Sequence, residues 1–146
     1  NIARDVLEDA KMGRRYLPGS WVQNISPNEI VLAAKTNDLK KIHIISKGIK
    51  KLLILAEKYY LSGEKGFNFL PFNTRIAISV ASGVYREIGV QLENKNYNWQ
   101  SGRQVTSTYT KIKITLFKIV KEFFYFRFLK KHNSELHISL KDLVNG

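Results

Sequence analysis

Apolar residues recur at intervals of three and four along most of the chain, the spacing of one buried face of an α-helix. One such stripe predicts a long helix over 37–65, and its members are Ile42, Ile45, Ile49, Leu52, Leu53, Ala56 and Tyr60. A second predicts a helix that starts at 70–72 and runs to about Asn94, with Ile76, Val80, Val84, Ile88 and Leu92. Shorter patterns predict a first helix ending near Gly13 and helices over 27–34 and 108–131, with a loop over 99–106. The sequence therefore predicts an all-α protein.

Small and basic positions add detail to these helices. Ala77, Ala81, Ser82 and Gly83 keep part of the second long helix narrow, which favours close approach of another helix or of a long lipid tail. Close helix packing is the commoner reason for such residues. The lysines that fill the outer face of the 37–65 helix are most simply a solvated surface.

The chain has 146 residues, no cysteine and a net charge of +12. The absence of cysteine excludes a disulfide framework and favours a cytoplasmic location. The positive excess favours polyanionic partners such as diphosphates, anionic lipid surfaces or nucleic acid. No aromatic RNA-binding pair or Cys/His finger is present, so a nucleic-acid partner is not expected.

The first residues carry the strongest chemical signal. In a helix, Asn1, Asp5 and Asp9 lie four residues apart and form one row of oxygen-bearing side chains. Two carboxylates beside a neutral oxygen suit Mg²⁺, which completes its octahedron with water and phosphate oxygens. Arg4 supplies a forked donor for phosphate. The alternative is that these acids are only solvated residues that favour the helix dipole.

The spacing N-x-x-R-D-V-x-x-D, followed after four residues by R-x-Y-x-P, resembles the second aspartate-rich motif of the squalene and phytoene synthases. Its members here are Asn1, Arg4, Asp5, Val6, Asp9, Arg14, Tyr16 and Pro18. The segments AEKYYLSGEKGFNFLPFNTR and VYREIGVQLENKNYNWQSGRQVTSTYTK are similar to later helices of the bacterial phytoene synthases. The likeness covers about 1–111 and fades over the last helix.

This resemblance implies an isoprenoid synthase-type helical bundle, of which residues 1–131 would be the C-terminal helices and 132–146 a flexible tail. The family's first aspartate-rich motif is absent, so the chain alone is expected to be inactive. The implied activity is head-to-head condensation of two geranylgeranyl diphosphates through prephytoene diphosphate, releasing diphosphate, in carotenoid biosynthesis. It would use Mg²⁺, with Mn²⁺ as a substitute, and no NADPH. A squalene or dehydrosqualene synthase acting on farnesyl diphosphate shares the motif and stays open.

The resemblance also implies roles for particular residues. Asp5 and Asp9 would be the catalytic metal ligands with Asn1 as a third, and Arg4, Tyr85, Arg103 and Lys111 would bind the substrate diphosphates. Each has a plainer interpretation: a salt bridge to Glu8 for Arg4, structural anchoring for Tyr85, and surface solvation for Arg103 and Lys111.

A different class of function is a non-catalytic basic helical module that binds anionic lipid or nucleic acid. It accounts for the charge of +12 but not for the ordered motif. The phenylalanines of the last helix favour packing against a missing N-terminal half, because an aromatic stripe usually marks a core. The alternative is that these phenylalanines and the lysines among them lie at a membrane interface, with peripheral association at the inner membrane face.

Overall fold

The computed structural model describes residues 1–103 and 105–124, and every regular element within this part is helical. The five α-helices are α1 (Val6–Lys11), α2 (Pro27–Thr36), α3 (Leu39–Gly66), α4 (Phe72–Asn94) and α5 (Thr108–Phe124). Short 3₁₀ turns occupy Gly19–Trp21 and Phe67–Phe69. The predicted all-α class is confirmed. The end of the predicted last helix and the predicted tail lie outside the described residues.

The helix boundaries follow from local chemistry. Ser26 caps α2 and forms a reciprocal capping box with Glu29, and Pro27 takes the first helical position. Asp38 accepts a hydrogen bond from the Lys41 backbone N–H (3.1 Å) and starts α3. Because such caps act within one turn, the predicted starts of α2 and α3 are within two residues of those observed.

The first helix differs from its prediction. Asn1 lies in a preceding turn, where its carbonyl accepts from the N–H groups of Arg4 (2.8 Å) and Asp5 (3.0 Å). Regular helix begins only at Val6 and ends at Lys11. Gly13 follows with a φ of +73°, the left-handed conformation in which glycine commonly ends a helix, and the predicted end near Gly13 is confirmed.

The apolar core lies where α1, α2 and the first half of α3 meet. Its fully buried members include Val22, Ile30, Ile45 and Ile49. Leu92 at the end of α4 and Trp99 in the following loop complete it. The predicted stripe of α3 is therefore confirmed at its centre, while Leu52, Leu53, Ala56 and Tyr60 are only partly buried.

The packing of α4 departs from the aliphatic stripe that the sequence predicts. Of that stripe only Leu92 is fully buried, whereas the other buried positions of α4 are Arg75, Ser79 and Gly83. A Cβ atom at Gly83 would come within 2.9 Å of Ile114 Cγ2 on α5. The glycine thus permits close helix packing, the first of the two explanations that the sequence offers for the small residues.

Candidate functional site

The motif at the start of the chain forms a network of ion pairs around Asp5. Arg4 donates from Nε to Oδ1 (2.8 Å) and from Nη2 to Oδ2 (2.7 Å), and so binds both oxygens of the carboxylate. The Nε atom of Arg103 lies 3.3 Å from Oδ1 of Asp5. Arg4 therefore pairs with its neighbour Asp5 rather than forming the salt bridge to Glu8 that the sequence also allowed.

The two motif aspartates are in opposite electrostatic environments. The hydrogen bonds from Arg4 lower the pKa of Asp5, and the charge of Arg103 acts in the same direction. Burial raises the pKa of Asp9, the nearby charges of Asp5 and Glu8 raise it further, and Arg14 opposes them. Ion pairs therefore stabilise the charged form of Asp5, whereas burial and the neighbouring acids disfavour the charged form of Asp9.

The loop between α4 and α5 brings Arg103 to the motif. Trp99 is fully buried and donates from Nε1 to the Ile42 carbonyl of α3 (3.5 Å). Ser46 of α3 donates to the Tyr97 carbonyl (3.2 Å). Gly102 has a φ of +82°, and a Cβ atom there would lie 3.6 Å from Glu8 Oε1. The loop is therefore held against α3 at Tyr97 and Trp99 and turns at Gly102, so that it passes beside α1.

An open groove between α3 and α4 adjoins this network and encloses about 690 Å³. Asn1, Arg4 and Tyr85 line it together with apolar residues of both helices, among them Leu52, Leu53, Ala56, Ile88 and Leu92, and with charged residues that include the Glu57–Arg86 ion pair. Tyr85 is 49% exposed. The pKa of Arg4 is raised mainly by its hydrogen bond to Asp5 and to a smaller extent by the nearby Tyr85. A polar head and an apolar tail would both find complementary surface here.

The predicted site residues are thus partly brought together. Arg4, Asp5 and Arg103 are in contact, Asp9 is within electrostatic reach of Asp5, and Asn1 and Tyr85 share the groove with Arg4. Lys111 is exposed in the first turn of α5, and no ion pair joins it to the motif in the part of the chain that the structure describes.

Sequence reasoning missed two features. Glu8 has a buried Oε2 that accepts no hydrogen bond from any described residue. In addition, Arg86 of α4 forms ion pairs with Glu57 and with Glu64 (3.0 Å) of α3. The sequence does contain a sign of the Arg86 ion pairs. Glu57 and Glu64 lie seven residues apart, which is about two helical turns, and therefore lie on one side of α3.

The donor set fits a magnesium ion that is bound through few protein ligands. No group of three or more acidic, histidine or cysteine side chains among the described residues could hold a metal by itself. Mg²⁺, however, is usually bound by one or two carboxylates, with water and substrate phosphates as the remaining ligands. Asp5 and Asp9 are two carboxylates one helical turn apart, and Glu8 beside Asp9 has a buried Oε2 without a hydrogen-bond partner, so the oxygens present fit the donor set of such an ion.

The sequence is similar to known proteins over most of its length. The model of the family described as squalene/phytoene synthase matches residues 1–110. The chain is 39% identical over 116 residues to a 15-cis-phytoene synthase of Pantoea ananas, covering 80% of this chain and 36% of that protein. It is 36% identical over 112 residues to a phytoene synthase of Pseudescherichia vulneris, covering 77% and 35%.

A third relative, a bifunctional lycopene cyclase/phytoene synthase of Phaeosphaeria nodorum, is 31% identical over 114 residues, or 77% of this chain and 18% of that protein. The chain spans about a third of the length of the first two relatives. No solved structure matches it. With the family model covering three quarters of its residues, including the whole aspartate motif, the chain belongs to the squalene/phytoene synthase family.

Proposed function

We propose that this chain forms the C-terminal part of a phytoene synthase, which joins two geranylgeranyl diphosphates head to head through prephytoene diphosphate and releases two diphosphates. The observation that carries this proposal is the Arg4–Asp5–Arg103 network at the side of a groove with aliphatic walls. A prenyl diphosphate has the same division into a charged head and a long apolar tail.

The diphosphate would bind at the charged side of the groove. Arg4 and Arg103 are guanidinium groups, whose planar donors match phosphate oxygens. Both now neutralise Asp5, so an arriving diphosphate would compete with that carboxylate for them. As Arg4 turned toward the diphosphate, Asp5 would gain free oxygens and, with Asp9, could hold Mg²⁺. The ion would supply charge neutralisation for the departing diphosphate.

The remaining groups would bind and protect the substrate. Tyr85 lines the groove with its hydroxyl available to a phosphate oxygen, and Lys111 would approach as a long flexible cation. The walls formed by Leu53, Ala56 and Ile88 would enclose part of the prenyl chain and keep water from a carbocation. Because the match covers only about a third of the length of these relatives, we expect this chain alone to be inactive.

The test is to incubate the complete protein with farnesyl or geranylgeranyl diphosphate, with Mg²⁺ or Mn²⁺, with and without NADPH, and to identify the hydrocarbon formed. A forty-carbon product without NADPH supports a phytoene synthase. Product from farnesyl diphosphate would indicate a squalene or dehydrosqualene synthase instead. No product with either substrate, combined with nucleic-acid binding that falls steeply with salt, would favour the non-catalytic basic module.

We further propose a cytoplasmic enzyme that is peripheral to the membrane, because long prenyl chains partition into lipid. No helix among the described residues has the length and hydrophobicity needed to span a bilayer.

A further inference from the structure

Tyr60 of α3 lines the groove together with Arg4 and Tyr85, but the chemistry proposed above gives it no role. Its side chain is partly buried. Burial raises the pKa of its hydroxyl, and the nearby charge of Arg86 opposes that shift. Tyr60 therefore remains a neutral phenol at physiological pH, able to donate a hydrogen bond to an anion without adding charge to the groove.

The register of α3 against α4 brings Tyr60 close to Tyr85. The two helices run antiparallel, because only a short turn joins them. Glu57 of α3 forms an ion pair with Arg86 of α4. Tyr60 lies about one turn beyond Glu57, so it comes opposite the turn of α4 that precedes Arg86 and contains Tyr85. The two phenols, one on each wall, therefore line the same section of the groove.

Arg86 holds the ring of Tyr60 from the side of α4. Its guanidinium carbon lies 5.8 Å from the centroid of the Tyr60 ring, which is within the range of a cation–π contact. The same guanidinium bridges two acids of α3, through Nη2 to Glu57 and through Nη1 to Glu64 at 3.0 Å. Glu64 also pairs at 3.2 Å with Lys118 of α5, which is buried. Because its own partners fix Arg86, the guanidinium restricts the orientation of the phenol beneath it.

The charges of this network cancel, which distinguishes it from the network at the motif. Two acids, Glu57 and Glu64, are paired with two bases, Arg86 and Lys118. At Asp5, by contrast, two guanidinium groups share one carboxylate. A diphosphate therefore gains little by displacing the carboxylates from Arg86, and the network would act on it through the orientation of the phenol rather than through charge.

We propose that Tyr60 is a further substrate-binding residue, which donates a hydrogen bond from its hydroxyl to the diphosphate opposite Tyr85, and that Arg86 is the positioning residue that orients it. The inference rests on the proposed function in taking a prenyl diphosphate as the ligand. Two phenols from opposite walls would hold the diphosphate between them, and hydrogen bonds to so highly charged an acceptor are stronger than those between neutral groups.

The experiment measures equilibrium binding of two radiolabelled ligands to the complete protein with Mg²⁺. Geranylgeranyl thiolodiphosphate has a carbon–sulfur bond that resists cleavage, and geranylgeraniol lacks the diphosphate. Tyr60→Phe removes the hydroxyl alone. Tyr59→Phe is its matched control, because Tyr59 is an exposed tyrosine of α3 that does not line the groove. Arg86→Lys keeps the charge between the two acids but loses the planar fork that bridges them.

We expect Tyr60→Phe to bind the thiolodiphosphate about tenfold more weakly than the parent, the scale of one hydrogen bond to a charged acceptor, with the affinity for geranylgeraniol unchanged. Tyr59→Phe should bind both ligands as the parent does. Arg86→Lys should weaken only the binding of the thiolodiphosphate. The double variant Tyr60→Phe/Arg86→Lys should lose no more than Tyr60→Phe, because Arg86 acts through that hydroxyl.

An unchanged affinity of Tyr60→Phe for the thiolodiphosphate would overturn the role of Tyr60, as would equal losses for both ligands, which indicate a packing defect. Additive losses in the double variant would overturn the positioning role of Arg86. Because binding is measured without turnover, a protein that forms no hydrocarbon would contradict the proposed function and still show whether the hydroxyl contacts the diphosphate. A parent protein that does not bind the thiolodiphosphate would overturn both.

Discussion

The Nε atom of Arg103 lies 3.3 Å from Oδ1 of Asp5, so the loop before α5 reaches back to the residue that precedes α1. Arg4 binds the same carboxylate through both of its oxygens. Two guanidinium groups on one carboxylate exceed its charge, which suits the diphosphate that we propose binds there.

The first prediction concerns Asp9, whose pKa burial raises. A raised folded-state pKa contributes stability below the ordinary carboxyl pKa, and that contribution is lost as the pH rises through the folded value. Ionised Asp9 therefore destabilises the protein at neutral pH. We expect Asp9→Asn in the complete enzyme to unfold at equal or higher urea concentration than the parent at pH 7, while its turnover falls by about 100-fold, the scale for losing one group that stabilises transition-state charge.

Glu87→Gln is the matched control for this exchange of carboxylate for amide, because the amide oxygen retains the hydrogen bond that Gln91 donates. The control should keep both activity and stability. An Asp9→Asn enzyme with normal turnover would remove Asp9 from the proposed metal site. Lower stability at pH 7 would show that the carboxylate has a stabilising partner.

The second prediction concerns Asp5, whose pKa is lowered chiefly by Arg4. A lowered folded-state pKa contributes stability above the ordinary carboxyl pKa of 3.8, and the contribution is lost as the pH falls through the folded value. Asp5→Asn should thus lower the free energy of unfolding at pH 7 by about 1–3 kcal/mol, because the amide carries no charge and offers one accepting oxygen to partly buried donors that now use two. Urea unfolding at several pH values should also show a weaker loss of stability on acidification.

If Asp5→Asn leaves the free energy of unfolding unchanged at pH 7, the ion pairs of Arg4 and Arg103 contribute no net stability. On the expected results, Asp5→Asn is less stable than the parent at pH 7 and Asp9→Asn is at least as stable, although both lose activity.

The third prediction tests the groove and rests on the proposed function. A Cβ atom at Gly89 would lie 3.2 Å from Leu53 Cδ2 across the groove. The leucine side chain of Gly89→Leu should fill this space and favour the shorter prenyl chain. We expect the ratio of kcat/KM for farnesyl over geranylgeranyl diphosphate to rise by about tenfold or more. Gly63→Leu is the control, since nothing lies within 4 Å of a Cβ there. Equal losses for both substrates would indicate only a packing defect.

The fourth prediction tests the close approach of α4 and α5. The Cβ of Gly83→Ala would lie 2.9 Å from both Ile114 Cγ2 and Lys118 Cε, so α5 must shift or its side chains must repack. We expect a loss of about 1–3 kcal/mol in the free energy of unfolding. Gly63→Ala, at an open position of α3, should instead gain about 0.5–1 kcal/mol. Similar gains for both variants would mean that α5 does not pack tightly on α4.

Much of the fold could be predicted from the chain alone. The centre of the α3 stripe, Ile45 and Ile49, is buried as its spacing predicts, and the caps at Ser26 and Asp38 begin helices near the predicted positions. The motif also led to the family that the comparison shows. These features depend on residues within a turn or two of each other, and helix periodicity reports such local relations directly.

The candidate site was only partly predictable. The spacing of Asp5 and Asp9 marks both as important but gives no sign that one is paired and the other is not. Part of that difference is local, since Arg4 binds Asp5 through both oxygens, but the second cation, Arg103, reaches Asp5 only because Trp99 is buried against α3 and Gly102 turns the loop. A sequence pattern does not contain contacts between residues so far apart.

The helical class, the positions of the long helices and the family of the motif can all be predicted from the residues alone, because each follows from local periodicity or from fixed spacing. The side of α5 that faces the protein depends instead on packing between helices. Its alternation of apolar and charged residues is compatible with either side being inside, and the choice was made by partners on other helices. Gly83 allows the approach, and Glu64 and Arg75 neutralise the charges that become buried.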